Sequence, residues 1–199
     1  MKEESKELLK AMHEITSGAE DCITYLQTAF IYNSLRPLKD CLEMAELTKK
    51  KEPNLTKKAA EIAKEMPDIK PYVSVPSHLL RIAENIEKLA GLIDKKIKDG
   101  ILFSDRAVTE ITFLLQRLVD IIKPTSDMIL ARNIMLGKYV QESEKGIVKR
   151  AMEYSTLHEE RLIEGLCLPA ASSIYINMLD AIKNIAWHAK EISAVLASS

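Results

Sequence analysis

Apolar residues recur at spacings of three and four along most of this chain, and that periodicity restricts the fold more than any other feature. In the stretch SSIYINMLDAIKNIAWHAKEI, residues Ile174, Met178, Ile182, Ile185, Ala189 and Ile192 draw one stripe down a helix. Similar stripes run through Met12, Ile15, Ala19, Cys22, Leu26 and Phe30, through Leu79, Ile82, Ile86, Leu89, Ile93 and Ile97, and through Val108, Ile111, Leu115, Leu118 and Ile122. A striped helix is stable only when its stripe is covered. Long rods of this kind therefore lie alongside each other, which predicts a bundle. No run alternates apolar and polar residues for long enough to propose a strand. Glycine is also scarce, at 6 in 199 residues, as expected of long helices.

Proline, glycine and capping residues divide the chain into six predicted helices. The first runs from about Glu4 to Asn33. The second runs from about Pro37 to Met66 with a break or kink at Pro53, and the cluster PDIKPYVSVPS closes it. Ser77 is the expected cap of the third and Gly100 its end. Ser104 or Asp105 opens a fourth, bent at Pro124. The fifth spans about Gln141 to Glu164 and stops at Gly165, and the sixth is the stretch quoted above.

The chain carries signs of an internal repeat. AMHEIT (residues 11–16) and AVTEIT (residues 107–112) share four of six residues, and RIAENIEKLAGLI (81–93) lies over NIAWHAKEISAVL (184–196). This predicts two three-helix units, residues 1–100 and 101–199, joined near Gly100.

Composition narrows function by exclusion. The net charge is −1, and the lysine-rich KKKEPNLTKK is followed by acidic EIAKEMPD, so no unbalanced basic face suggests nucleic acid. The N-terminus has no signal-peptide character, and no apolar run of 18 residues would cross a membrane, so no direct membrane insertion is expected. Cys22, Cys41 and Cys167 form no metal or disulfide pattern and read as reduced packing residues of a cytoplasmic protein. Phosphate-binding glycine loops, a nucleophile elbow and zinc-protease helices are absent, and no nucleophile–base pair is visible at any spacing. No histidine has a glutamate three residues before it, which excludes the ligand pairs of di-iron bundles. Those features predict a non-enzymatic protein. His158 lies on the row Ile147, Ala151, Tyr154, His158, Leu162 and reads as a core-edge histidine with a hydrogen-bond partner, with a ligand or pH-sensing role as the alternative. His13 and His78 carry no constellation and read as surface residues.

The segments HLLRIAENIEKLAGLI and LHEERLIEGLCLPAASSIYINMLDAIKNIAWHAKEI resemble the third helix and the fifth-to-sixth-helix region of PhoU-domain proteins, the regulators of phosphate uptake. KKIKDGILFSDRAVTEI resembles the link between the two halves of the PhoU-like cytoplasmic domain of bacterial sodium–phosphate cotransporters. The resemblance implies an all-α fold of six long helices in two tandem antiparallel three-helix bundles. It also implies a role in phosphate homeostasis at the cytoplasmic side of a membrane phosphate transporter, or with its signalling partners, and leaves a homodimer open.

Some members of that family hold iron or zinc between acidic residues four apart on the third and sixth helices. Here the first copy reads Leu80, Arg81, Ile82, Ala83, Glu84, and the second reads Lys183, Asn184, Ile185, Ala186, Trp187. Glu84 keeps its acid, while Trp187 stands where the second copy would carry one. Glu84, with Glu87 nearby, and His188 are thus the metal candidates, but a lone carboxylate beside lysine and tryptophan is a poor cage, and no cofactor is the leading expectation. Trp187 points away from the buried stripe and is the candidate interface anchor, with packing against its own chain as the alternative. A helical scaffold unrelated to phosphate is the remaining rival.

Overall fold

The computed structural model describes residues 3–197. Six helices follow one another: α1 (Glu3–Tyr32), α2 (Arg36–Glu65), α3 (Val75–Lys98), α4 (Asp105–Ala131), α5 (Ile134–Ile163) and α6 (Pro169–Ala197), with a 3-10 helix (Pro67–Ser74) between α2 and α3. No strand occurs among the described residues. α1, α2 and α3 pack on one another, and so do α4, α5 and α6. α1 then lies along α4 and α3 along α6. The result is two antiparallel three-helix bundles sharing one continuous apolar core, in which Met12, Ile23, Leu26, Ile111, Leu118, Ile182 and Ile185 are fully buried.

Several helix ends differ from the sequence-based expectation, each for a local reason. α2 runs unbroken through Pro53. Proline removes one hydrogen bond there, but Leu55 and Ala59 beyond it are buried and hold the helix. α4 continues through Pro124, as expected from the sequence, with Thr125, Met128 and Ile129 buried after it. Ser77 does not cap α3. The helix starts at Val75 with Pro76 in its first turn, where a missing N–H costs nothing, and the Ser77 hydroxyl donates back to the Ser74 carbonyl at 2.8 Å. α5 starts seven residues earlier than Gln141, capped by the Asn133 side chain, which accepts from the Met135 N–H. Its buried row begins with a glycine, which carries no apolar signal in the sequence: Gly137 and Val140 are buried, and a Cβ on Gly137 would lie 3.0 Å from Met128 Cε and 3.1 Å from Ala197 Cβ. α6 starts at Pro169, before Ser172.

The ends of α3 and α5 are built alike. Gly100 and Gly165 take φ of +61° and +74°. Across the first, Ile101 N–H donates to Lys96 O and Gly100 N–H to Ile97 O; across the second, Leu166 donates to Arg161 O and Gly165 to Leu162 O. This is the glycine-closed helix end, which satisfies carbonyls that would otherwise be orphaned. At the opposite end of the molecule, Tyr72 of the 3-10 helix donates to Ile129 O at 2.9 Å, and Arg132 donates to the Tyr72 hydroxyl at 3.0 Å. That contact ties the first three helices to the turn between α4 and α5. Cys22 and Cys41 are free thiols buried between α1 and α2, with Cys41 Sγ donating to Cys22 O at 3.0 Å. Among the described residues, no helix is long and apolar enough to cross a membrane.

Candidate interaction surface at the α3–α6 seam

The two helices that carry Glu84, Trp187 and His188 pack directly against each other. Their stripes face inward: Leu79, Ile82, Ile86, Leu89 and Ile93 from α3, and Ile182, Ile185, Ala189 and Ile192 from α6 are buried. The residues one step off those stripes are thereby brought to the rim of the seam. Trp187 is 44% exposed. Its ring meets His188 edge to face at 4.7 Å between centroids and His78 of α3 at 6.1 Å, while Lys190 lies 5.4 Å over it.

His78 and His188 face each other with Nδ1 atoms 3.0 Å apart. His78 thus belongs to a constellation, contrary to its reading as a solitary surface histidine, because its partner lies 110 positions away on another helix. Such a contact can hold one shared hydrogen, donated by one neutral ring and accepted by the other. Burial pushes the pKa of both rings down. For His188 the neighbouring His78 and Arg81 add to burial and bring it to about 4. Along the same rim, Asn184 donates to Asn85 Oδ1 at 3.4 Å. Glu84 is bound by Arg81 at 2.9 Å, and Glu87 by Lys49 at 2.5 Å.

This donor set does not fit a multinuclear iron or zinc cluster. Both glutamates are engaged by cations, and no three His, Cys, Asp or Glu side chains gather in ligating reach among the described residues. The rim instead presents an aromatic face framed by amide and charged groups, which suits docking of a macromolecule.

A second cluster escaped sequence reasoning. Glu110 of α4, only 4% exposed, receives two bonds from Arg161 of α5 at 2.9 and 2.8 Å and one from the Tyr175 hydroxyl of α6 at 2.5 Å. Burial alone would raise the pKa of Glu110, but these bonds outweigh it and hold the carboxyl below its usual range. The same environment raises Tyr175, through burial first and then the Glu110 bond, so it stays a neutral donor. The signal was present: Glu110 sits between Ala107 and Leu114 on the buried side of α4, where a carboxylate requires partners.

His158 stacks on Tyr175 at 4.3 Å and lies 3.0 Å from Ser172 Oγ through Nε2, the core-edge partner expected of it. The pair is a serine–histidine contact that the sequence did not reveal. His158 Nδ1 has no hydrogen-bond partner, so no carboxylate orients the ring as a nucleophile-activating base requires. We read the pair as structural. Beside it, Phe103, Cys167, Ala171 and Tyr175 line a cavity of about 220 Å³ whose mouth is formed by Leu102, Leu166 and Leu168.

No protein-family model matches the chain, and no curated protein matches it. Among solved structures, PhoU from Pseudomonas aeruginosa is similar over 98% of this chain and 94% of its own, with a TM-score of 0.84 and 16% sequence identity. At that identity the likeness speaks to architecture: the chain has the all-α, six-helix fold seen in PhoU.

Proposed function

We propose that this chain is a non-enzymatic, PhoU-like regulator of phosphate uptake, acting on the cytoplasmic side by docking to a phosphate transporter or to its signalling partner. The observation that carries this reading is the full-length likeness to PhoU, which extends over both bundles and both connecting ends. Residues 1–100 and 101–199 are read as its two repeats. Docking uses the α3–α6 rim, with Trp187 as the anchor: a half-exposed tryptophan held in place by two histidines loses little side-chain freedom on binding. The reading calls for no metal, since Glu84 already pairs with Arg81.

Deleting the gene and following phosphate uptake tests the reading. Altered uptake, or an altered response to phosphate limitation, is the expected result, and complementation with Trp187→Ala fails while the purified variant keeps its helical melting profile. Unchanged uptake and an unchanged phosphate response in the deletion strain would end the phosphate role. Full complementation by Trp187→Ala would end the tryptophan's part in it.

A further inference from the structure

The second bundle is not packed shut where the α3–α4 link meets the α5–α6 loop. Phe103 of the link meets Tyr175 of α6 at 6.1 Å, and His158 of α5 stacks on Tyr175 at 4.3 Å. These three rings line the cavity of about 220 Å³. Ala107 and Ala171, each the third residue of its helix, complete its wall. Both side chains stop at Cβ, whereas Ile111, Leu114 and Ile174, one or two turns further on, fill their share of the core. Short side chains at these two positions leave the space open.

The chemistry of the lining restricts what can enter. No Asp, Glu, Lys or Arg belongs to it. Glu110 and Arg161 lie outside it and bond each other, and the Tyr175 hydroxyl is spent on Glu110. Burial, and then Arg161, lowers the pKa of His158, so its ring is neutral near pH 7. Its Nδ1 is the one buried polar side-chain atom of this lining left to pair. A charged guest would lose its hydration here with nothing to replace it, which excludes phosphate, carboxylates and metal ions. Size restricts the guest further. An apolar cavity of about 150 Å³ takes up benzene, so by proportion this one takes a molecule of about nine non-hydrogen atoms. A nucleotide is too large for it.

We propose that this cavity is a binding site for a small, uncharged, mostly apolar molecule carrying at most one hydrogen-bonding group. The exposed leucines at its mouth, Leu102 of the link and Leu166 and Leu168 of the loop, gain apolar cover when it is filled. Such a guest ties the connection between the bundles to the second of them. Phe103 also meets Phe30 of α1 at 5.6 Å, so the first bundle touches the same wall. Ala171 and Trp187 are sixteen residues apart on α6, about 24 Å along its axis. The cavity is therefore separate from the α3–α6 rim, and the inference stands or falls independently of the phosphate reading.

Calorimetric titration of the full chain with indole, benzoate and inorganic phosphate tests it. Indole and benzoate are both of about the fitting size and differ in charge. The expected result is saturable binding of indole at one site, with benzoate and phosphate at least about tenfold weaker. Amide resonances that shift on adding indole should cluster at residues 102–107, 158 and 166–175. Ala171→Leu fills the space and lowers indole affinity by at least about tenfold, while the melting temperature holds or rises. Leu168→Glu, at an exposed position that tolerates a charge, also weakens indole by setting a carboxylate at the mouth. Should Ala171→Leu fail to fold, Leu168→Glu decides alone. Absence of saturable indole binding overturns the proposal, as does benzoate binding equally well. Shifts centred elsewhere, or an affinity unchanged in the folded variants, overturn it too.

Discussion

At matching places in the repeated hexapeptide, one half of the molecule exposes a glutamate and the other buries it. Glu14 of AMHEIT faces solvent, with Lys10 one turn away at 4.0 Å, whereas Glu110 of AVTEIT sits inside the second bundle under Arg161 and Tyr175. The flanking positions show why. Ile15 and Ile111 are both buried, but Met12 is buried where Val108 is only partly so, and Ala107 is buried where Ala11 is not. The inward face of α4 is thus turned slightly relative to that of α1, enough to carry its glutamate across the boundary. Sequence similarity preserved the residue, and its neighbours on α5 and α6 decide its role.

The largest expected effect breaks that contrast directly. Glu110→Ala strips a mostly buried arginine of its counter-charge and costs about 3–5 kcal/mol in a denaturant titration. Glu14→Ala costs at most about 0.5 kcal/mol, since exposed i,i+4 pairs contribute little. Equal losses in the two variants would mean that the buried network contributes no more than a surface pair.

A smaller effect tests where the halves agree. Gly100 and Gly165 both close a helix in the left-handed region with the same bond pattern. Alanine at either position costs about 1–2 kcal/mol through backbone strain alone, because a Cβ at each would point into open space. Thermal melts of the two single variants should shift by similar amounts. A clear inequality would show that one link carries further constraints.

The matched glycines were legible in the sequence, as were the stripes, because both are local signals: a run of three-and-four spacing or a glycine after the last apolar residue needs no knowledge of the rest of the chain. Trp187 was legible as an outward residue for the same reason. The Glu110–Arg161–Tyr175 network and the His78–His188 pair were not. Each joins helices separated by tens of positions, and one chain in isolation gives no sign of which stripe meets which. The internal prolines are weaker signals: of the break or kink expected at Pro53 the break is absent, and α4 continues through Pro124 as expected, each helix having buried residues beyond its proline. The local cue to the network is a carboxylate on the buried side of a helix, which requires partners.

The smallest expected effect concerns the seam where the two halves meet through His78 and His188. Both rings have their pKa lowered on folding, His188 to about 4 from 6.5. Well above pH 6.5 both are neutral whether the chain is folded or not, and the contact is fully present. As pH falls from 6.5 towards 4, the unfolded chain takes up protons that the folded seam refuses, so stability drops across that window and levels off below it. Both rings remain partly open to water, which limits the loss to on the order of 1 kcal/mol. His158, also lowered by burial and by Arg161, contributes in the same direction, so the whole-protein curve cannot separate them. The separation comes from His188→Gln, which leaves an amide beside His78 and removes the strongest of the three shifts. Melts of the variant and the parent at about pH 7.5 and about pH 5 should show the parent losing more stability on acidification. Identical losses would mean that the His188 shift contributes nothing measurable and would leave the pH dependence to His78 and His158.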